Sequence, residues 1–331
     1  MKALVLKGVN ESLSFENVAD PTAGSGEAVV AIRCAALNHR DVWIQKGMYA
    51  GLKFPIILGA DGAGVVFETG SGVDPAWRGK EVIINPSINW GNNDRAQGAD
   101  FRILGLPDNG TFAERVVVPG AQLAPKPNHL DFVHAAALPL AGLTAYRALF
   151  SRAGLVAGER VLVTGIGGGV ALFVLQFALA AGATVYVTSG SDEKLARAKE
   201  LGAAGGVNYR SESWSKELKD VGFDVIIDSA GGKDFSKLTD LAAPGGRIAF
   251  FGATQGNPPE LEMRRIFWKQ LSVLGSTMGS PVEFAAMVQF VERHKIKPLA
   301  ETVYPLSKGN EAFAAMDNAK QFGKIVLTVA P

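Results

Sequence analysis

The residues whose spacing points most directly to chemistry are Gly165, Gly167, Gly168 and Gly169. They lie between the β-branched run Val161–Thr164 and an apolar stretch opening at Val170. A strand that feeds a glycine turn and then a helix N-terminus offers N–H groups without intrahelical partners, and a positive dipole end, to a pyrophosphate. Glycine is needed where a Cβ would hold the backbone away from its ligand. Gly167, Gly168 and Gly169 are therefore predicted phosphate contacts, with Gly165 and Val170 flanking them in the same dinucleotide-binding set. Ala171 stands where a third motif glycine would pack helix on strand, a place that tolerates a methyl group.

A second cluster, Ser189-Gly190-Ser191 with Lys194, follows the next β-branched run, Thr184–Thr188. Folds that bind NAD usually place a carboxylate there for the ribose 2′-hydroxyl. Hydroxyls and a lysine suit a 2′-phosphate instead, so NADPH is predicted over NADH. Two or three bonds to a charged group, at about 1.5–3 kcal/mol each, would give a preference of roughly a hundredfold or more. Asp192 is the complication: it either opposes the phosphate or faces the helix dipole.

These groups need a frame, and the texture of the chain supplies one. Residues 1–125 hold short β-like runs (Ala28–Ile32, Gly64–Glu68, Glu81–Ile84, Ala113–Val118) separated by turn formers, which predicts a mainly β domain. Residues 126–277 alternate strands (with Phe223–Asp228, Arg247–Phe251 and Leu271–Leu274) and helices (Glu193–Leu201, Ser213–Val221, Phe235–Ala242). Repeated βα units predict a doubly wound parallel sheet, an α/β fold. Residues 278–331 return to mixed texture, with a helix at Val282–His294 and a strand at Lys324–Val329.

Composition narrows the function classes. Lys plus Arg number 33 against 32 acids in 331 residues, so no charge excess suits nucleic acid or anionic lipid. The uncharged run from Val161 to Ser191 is cut by glycines into pieces too short to span a bilayer. The N-terminus reads as a strand rather than a signal peptide, and a cytoplasmic location is expected. The single cysteine, Cys34, rules out an internal disulfide and a multi-cysteine metal site. It is expected to pack as a small apolar residue, and His129, His134 and His294 read as structural.

An ordered set of motifs spans the chain: Gly59-Ala-Asp-Gly-Ala-Gly64, Gly110-Thr-Phe-Ala-Glu114, Leu138-Pro-Leu-Ala-Gly-Leu-Thr-Ala145, Glu193 to Ala203, and Phe322-Gly-Lys-Ile-Val-Leu327. On these the chain resembles the medium-chain dehydrogenase/reductase superfamily. The resemblance implies a Rossmann cofactor domain, a GroES-like substrate domain completed by residues 278–331, and a site in the cleft between them. It also implies cofactor contacts at Thr144, Tyr209 (with Arg210), Gly252, Ala253, Ser276 and Thr277, and a homodimer joined along 270–275.

The departures from the pattern are as informative. Where zinc-dependent members carry a cysteine and a histidine ligand, this sequence has Asn38 and Ala60, and the lobe at 85–104 holds no cysteine for a second zinc. Zinc needs about four N, S or O donors, and His39, Asp41 and Asp61 do not restore that set, so no metal is predicted. Without a Lewis acid, acceptors that delocalise incoming charge are favoured. The sequence thus resembles the zinc-free quinone oxidoreductase branch, with a quinone or α,β-unsaturated carbonyl as the small-molecule substrate. Asn38, Asp41 and Tyr49 match that branch's substrate-side pattern: Asn38 as carbonyl contact, Asp41 as orienting group, and Tyr49 as proton donor or stacking wall. Three alternatives stand at this point: an alcohol or aldehyde dehydrogenase, an enoyl-type reductase, and an NADPH-binding sensor with little turnover.

Overall fold

The computed structural model describes residues 1–329. It forms two compact units, Met1–Leu143 with Gly279–Pro331, and Thr144–Met278. In chain order the first unit opens with β1 (Lys2–Leu6), β2 (Ser14–Asn17), β3 (Glu27–Ala36), α1 (His39–Gln45), β4 (Ile56–Ile57), β5 (Asp61–Thr69) and β6 (Glu81–Ile84). It continues with β7 (Ser87–Ile88), β8 (Arg102–Ile103), β9 (Arg115–Pro119), β10 (Leu123–Pro125), α2 (Phe132–Ala136) and the start of α3 (Pro139–Tyr146), whose residues from Thr144 onward belong to the second unit. The second unit holds β11 (Arg160–Val163), α4 (Gly169–Ala180), β12 (Thr184–Ser189), α5 (Asp192–Glu200), β13 (Gly205–Asn208) and α6 (Trp214–Glu217). Then come β14 (Phe223–Asp228), α7 (Phe235–Leu241), β15 (Ala242–Phe250), α8 (Met263–Trp268) and β16 (Ser272–Gly275). After it the chain returns to the first unit as α9 (Pro281–Arg293), β17 (Thr302–Pro305), α10 (Gly309–Asp317) and β18 (Ile325–Thr328).

The first unit is built on a sheet ordered β10-β6-β5-β3-β18-β17, with β9 also paired to β3. The long strand β3 is its spine, pairing antiparallel with β5, β9 and β18. Its residues alternate into a core that includes Leu4, Ile32, Leu37, Phe112 and Phe313. Each such side chain contributes about 1.5–3 kcal/mol by leaving water. Because β18 comes from the far end of the chain, residues 36 and 326 become sheet neighbours. That pairing sets up the site described below.

The second unit is a six-stranded, wholly parallel sheet ordered β13-β12-β11-β14-β15-β16. Numbered within the unit this is 3-2-1-4-5-6, the doubly wound order that binds dinucleotides at the carboxyl ends of its strands. Strands β11, β12 and β14 are buried on both faces, which is why they read as β-branched runs without polar alternation. No helix among the described residues is long and apolar enough to cross a membrane.

Three expectations need correction. The first unit runs to Leu143 rather than stopping at 125, because α2 packs on β3 and β5 and Leu140 N–H bonds Asp61 of β5. The helix expected over Ser213–Val221 shrinks to α6; Ser213 makes no capping bond and the chain turns at Gly222. The strand expected from Arg247 begins at Ala242, which pairs with Phe223; the register then shifts, with Gly245 at φ +76°, before Arg247 pairs with Val225 of β14.

Candidate active site and cofactor cradle

Since every strand of the second sheet runs the same way, the loops at their carboxyl ends share one edge. Those loops carry Gly165–Gly169 after β11, Gly190 and Ser191 after β12, Tyr209 after β13, Gly252 and Ala253 after β15, and Ser276 and Thr277 after β16. The fold thus brings together nearly all the predicted cofactor residues. Thr144 comes from α3; it is buried, its hydroxyl 4.0 Å from Met278 Sδ. The Ser276 hydroxyl is buried without a hydrogen-bond partner, as a group left for a ligand would be.

The glycine turn is pinned from behind. Gly165 N–H donates to Thr188 Oγ1 and Ile166 N–H to Thr188 O, while Thr164 Oγ1 donates to Asp228 Oδ1 at 2.6 Å. Asp228 also accepts the N–H groups of Ala230 and Gly231, and its burial raises its pKa despite these bonds. Gly168 caps α4 with no side chain to satisfy the first-turn N–H groups. Gly167 has φ +123°, and a Cβ there would stand 2.7 Å from Lys194 Cδ. Gly167 is therefore a position that favours glycine, with the Lys194 side chain folded against it.

The far end of the cradle is equally specific. A Cβ at Gly190 would lie 2.9 Å from Tyr209 Oη and 3.1 Å from Arg210 Nε, so these two side chains close over Gly190. Ser191 caps α5, accepting Lys194 N–H. Asp192 accepts a bond from Asn208 Nδ2 at 2.8 Å, which turns its charge toward a neighbour. Desolvation lowers the Lys194 pKa, as expected of an ammonium drawn in against backbone. Ser189, by contrast, is buried, its hydroxyl donating to Ile166 O and accepting Ser191 N–H, so it braces the loop from within. The Ser191 hydroxyl, a lysine, an arginine and a phenol in this arrangement fit a 2′-phosphate, and the glycine cradle fits a pyrophosphate.

The substrate-side residues lie in the first unit, where β3 ends and α1 begins. Asn38 caps α1, and its N–H donates to Asp41 Oδ2 at 2.8 Å. Asp41 is fully buried with Oδ1 unpaired; desolvation raises its pKa to about 6, against the opposing charge of Arg40. Arg40 is also buried, donating to Leu104 O and holding its guanidinium 5.2 Å from the centre of the Tyr49 ring. Asn38, Asp41 and Tyr49 thus belong to one connected group. His39 reaches solvent, yet the protein around its ring desolvates it and, with the Lys324 charge, lowers its pKa.

Lys324, which sequence reasoning placed only inside a motif, is the centre of this group. Its ammonium donates to Leu37 O at 2.6 Å, Asn38 Oδ1 at 2.6 Å and Asp61 Oδ2 at 2.9 Å. Asn38 Nδ2 donates to the same Asp61 oxygen at 2.9 Å, and Leu140 N–H binds Asp61 Oδ1 at 2.7 Å. The lysine side chain is 4% exposed and the aspartate 0%. Gly323, at φ +110° and with Leu299 O where a Cβ would be, delivers Lys324 to this position. The available signal was a lysine leading an otherwise apolar strand.

The donor set does not fit a zinc ion. Asn38 and Ala60 stand at the implied ligand positions, and the Asn38 and Asp61 oxygens already hold a fixed cation. Among the described residues no three His, Cys, Asp or Glu side chains are grouped to hold a metal. The lobe at 85–104 is closed by the β7–β8 pair and by Trp90 stacked edge-on against Phe101 at 5.3 Å.

Comparison with known proteins decides the family. Residues 24–128 match the alcohol dehydrogenase GroES-like domain and residues 169–293 the zinc-binding dehydrogenase domain. The chain is 37% identical to the zinc-type alcohol dehydrogenase-like protein YogA of Leptosphaeria maculans, covering 96% of this chain and 94% of that one. The chain belongs to the medium-chain dehydrogenase/reductase superfamily. Other relatives in the superfamily show its range. A crotonyl-CoA reductase of Streptomyces avermitilis is 30% identical over 98% of this chain and 84% of its own. The crystal structure of an NAD-dependent alcohol dehydrogenase superposes with a TM-score of 0.94 at 40% identity, covering 100% of both chains. This dehydrogenase/reductase is accordingly an oxidoreductase with a GroES-like unit and a Rossmann unit.

Proposed function

We propose that this oxidoreductase is an NADPH-dependent, zinc-independent reductase whose acceptor is a quinone or an α,β-unsaturated carbonyl compound. The observation that carries the reading is the buried Lys324 ammonium, bonded to Asn38 and Asp61 where the superfamily pattern would put a metal site. Removing a paired, buried ion costs several kcal/mol, so a metal cation would not displace it readily. The kinship with a crotonyl-CoA reductase supports an activated double bond as the acceptor.

In this reading Gly167, Gly168, Gly169 and the N–H groups of α4 hold the pyrophosphate, and Ser191, Lys194, Tyr209 and Arg210 hold the 2′-phosphate. Thr144, Gly252, Ala253, Ser276 and Thr277 serve the nicotinamide end. Bound NADPH supplies a hydride. The Asn38 amide donates to the acceptor oxygen as negative charge grows on it, which a quinone spreads into a phenolate and an enone into an enolate. Asp41 holds the Asn38 backbone, and Tyr49 is the side-chain proton donor, with water taking that part for quinones.

The test is steady-state oxidation of NADPH and NADH by the purified protein across quinones, enones, aldehydes and alcohols. Acceptor-dependent oxidation of NADPH by quinones or enones, with NADH slower, is the expected result. Preference for NADH with a simple alcohol or aldehyde would favour the dehydrogenase reading that the NAD-dependent structural relative represents. Tight NADPH binding without turnover would favour a sensor.

A further inference from the structure

Lys324 does more in this geometry than balance Asp61. An ammonium has three hydrogens, and those of Lys324 meet three acceptors: Leu37 O, Asn38 Oδ1 and Asp61 Oδ2. The Asn38 amide has one acceptor oxygen and two N–H groups. Its oxygen is taken by the ammonium and one N–H by the Asp61 carboxylate. Turning the amide over would set N–H groups against an ammonium and an oxygen against a carboxylate, exchanging two charge-assisted bonds for two repulsions. Asn38 is thus held in one orientation, and its second N–H has no hydrogen-bond partner among the described residues.

We infer that Lys324 is a positioning residue that makes Asn38 a fixed hydrogen-bond donor toward an oxygen bearing developing negative charge. The inference rests on the proposed role of Asn38 at the acceptor oxygen and extends it in two ways. First, the site can donate at Asn38 but cannot accept there, which suits phenolate and enolate oxygens and disfavours a protonated alcohol. Second, the ammonium draws electron density through the Asn38 carbonyl, so the remaining N–H becomes a stronger donor than a free amide. The positive charge acts on the acceptor through the amide and never touches it.

Removing Lys324 alone would strand a buried carboxylate, so the test uses the paired variant Lys324→Met/Asp61→Asn, which deletes both charges and keeps an acceptor for Leu140 N–H. The direct probe is 4-nitrophenol, whose visible absorbance reports phenol ionisation. On the wild-type protein the bound phenol should ionise at a lower pH than in water, and in the paired variant that shift should vanish. With NADPH, the variant should lose about tenfold to a hundredfold in kcat on an enone, which depends on the donor. It should lose much less on a quinone of high potential, with NADPH affinity unchanged. An equal loss on both acceptors, or an unchanged phenol shift in the variant, would overturn the inference. A wild-type protein that shifts the bound phenol yet passes no hydride from NADPH to any quinone or enone offered would overturn the proposed reaction while leaving the positioning role intact.

Discussion

At the scale of single residues, the proposed preference for NADPH turns on Lys194 and its neighbours. Its side chain lies against Gly167, beside the loop in which Tyr209 and Arg210 cover Gly190. A bond to a charged phosphate contributes about 1.5–3 kcal/mol, so Lys194→Ala should weaken NADPH roughly tenfold to a hundredfold and leave NADH nearly untouched. Fluorescence titration with both nucleotides checks this; equal losses would refute the assignment. Asp41 makes a different prediction. Its pKa is about 6 in the folded chain against 3.8 ordinarily, chiefly through desolvation. Between those values the folded state keeps a proton the unfolded chain releases, so this group's contribution to stability falls as pH rises from about 4 to 6. By pH 7 the cost is about 3 kcal/mol relative to acid conditions. Asp20, Asp131 and Glu159, whose pKa values are lowered, pull the other way, so the effect appears as a difference between proteins. Denaturant unfolding of Asp41→Asn and wild type across that window should show the variant gaining relative stability with rising pH; parallel curves would contradict it.

Among the elements, the turn between β11 and α4 bears the most weight. Gly167→Val asks a branched side chain to adopt φ +123° and to displace Lys194. The variant should lose NADPH binding by more than about tenfold, from strain and lost approach together, while its far-UV circular dichroism stays that of the parent; retained binding would show that the cradle is not the phosphate site. This turn and its parallel strands were legible in the sequence because burial on both faces forces β-branched runs and close approach forces glycine. Helix α1 was not. It is short, and it buries Arg40 and Asp41, so its charge pattern runs against the usual amphipathic rule. Lys324 was hidden for a related reason. Its partner Asn38 lies 286 positions away, and only the pairing of β18 with β3 makes them neighbours. Local spacing carries no trace of that contact.

For the whole molecule, superfamily membership accounts for the two units and for the split of the GroES-like unit across both ends of the chain. It does not by itself choose the metal, the nucleotide or the acceptor; the choices proposed above rest on the few places where this chain departs from the pattern. Assembly is a further expectation at this scale. Strand β16 forms one edge of the six-stranded sheet, and pairing of that edge across a two-fold would give a homodimer of the 34.8 kDa chain, with sedimentation equilibrium as the check. A monomer at micromolar concentration would refute it. The central claim is that reduction proceeds without zinc, and one measurement addresses it most directly. Acceptor-dependent NADPH oxidation is followed before and after exhaustive chelation, with metal content determined on the same samples. Lys324 holding Asn38 and Asp61 predicts turnover unchanged by chelation and substoichiometric zinc throughout. Loss of activity on chelation, restored by one zinc per chain, would contradict the account.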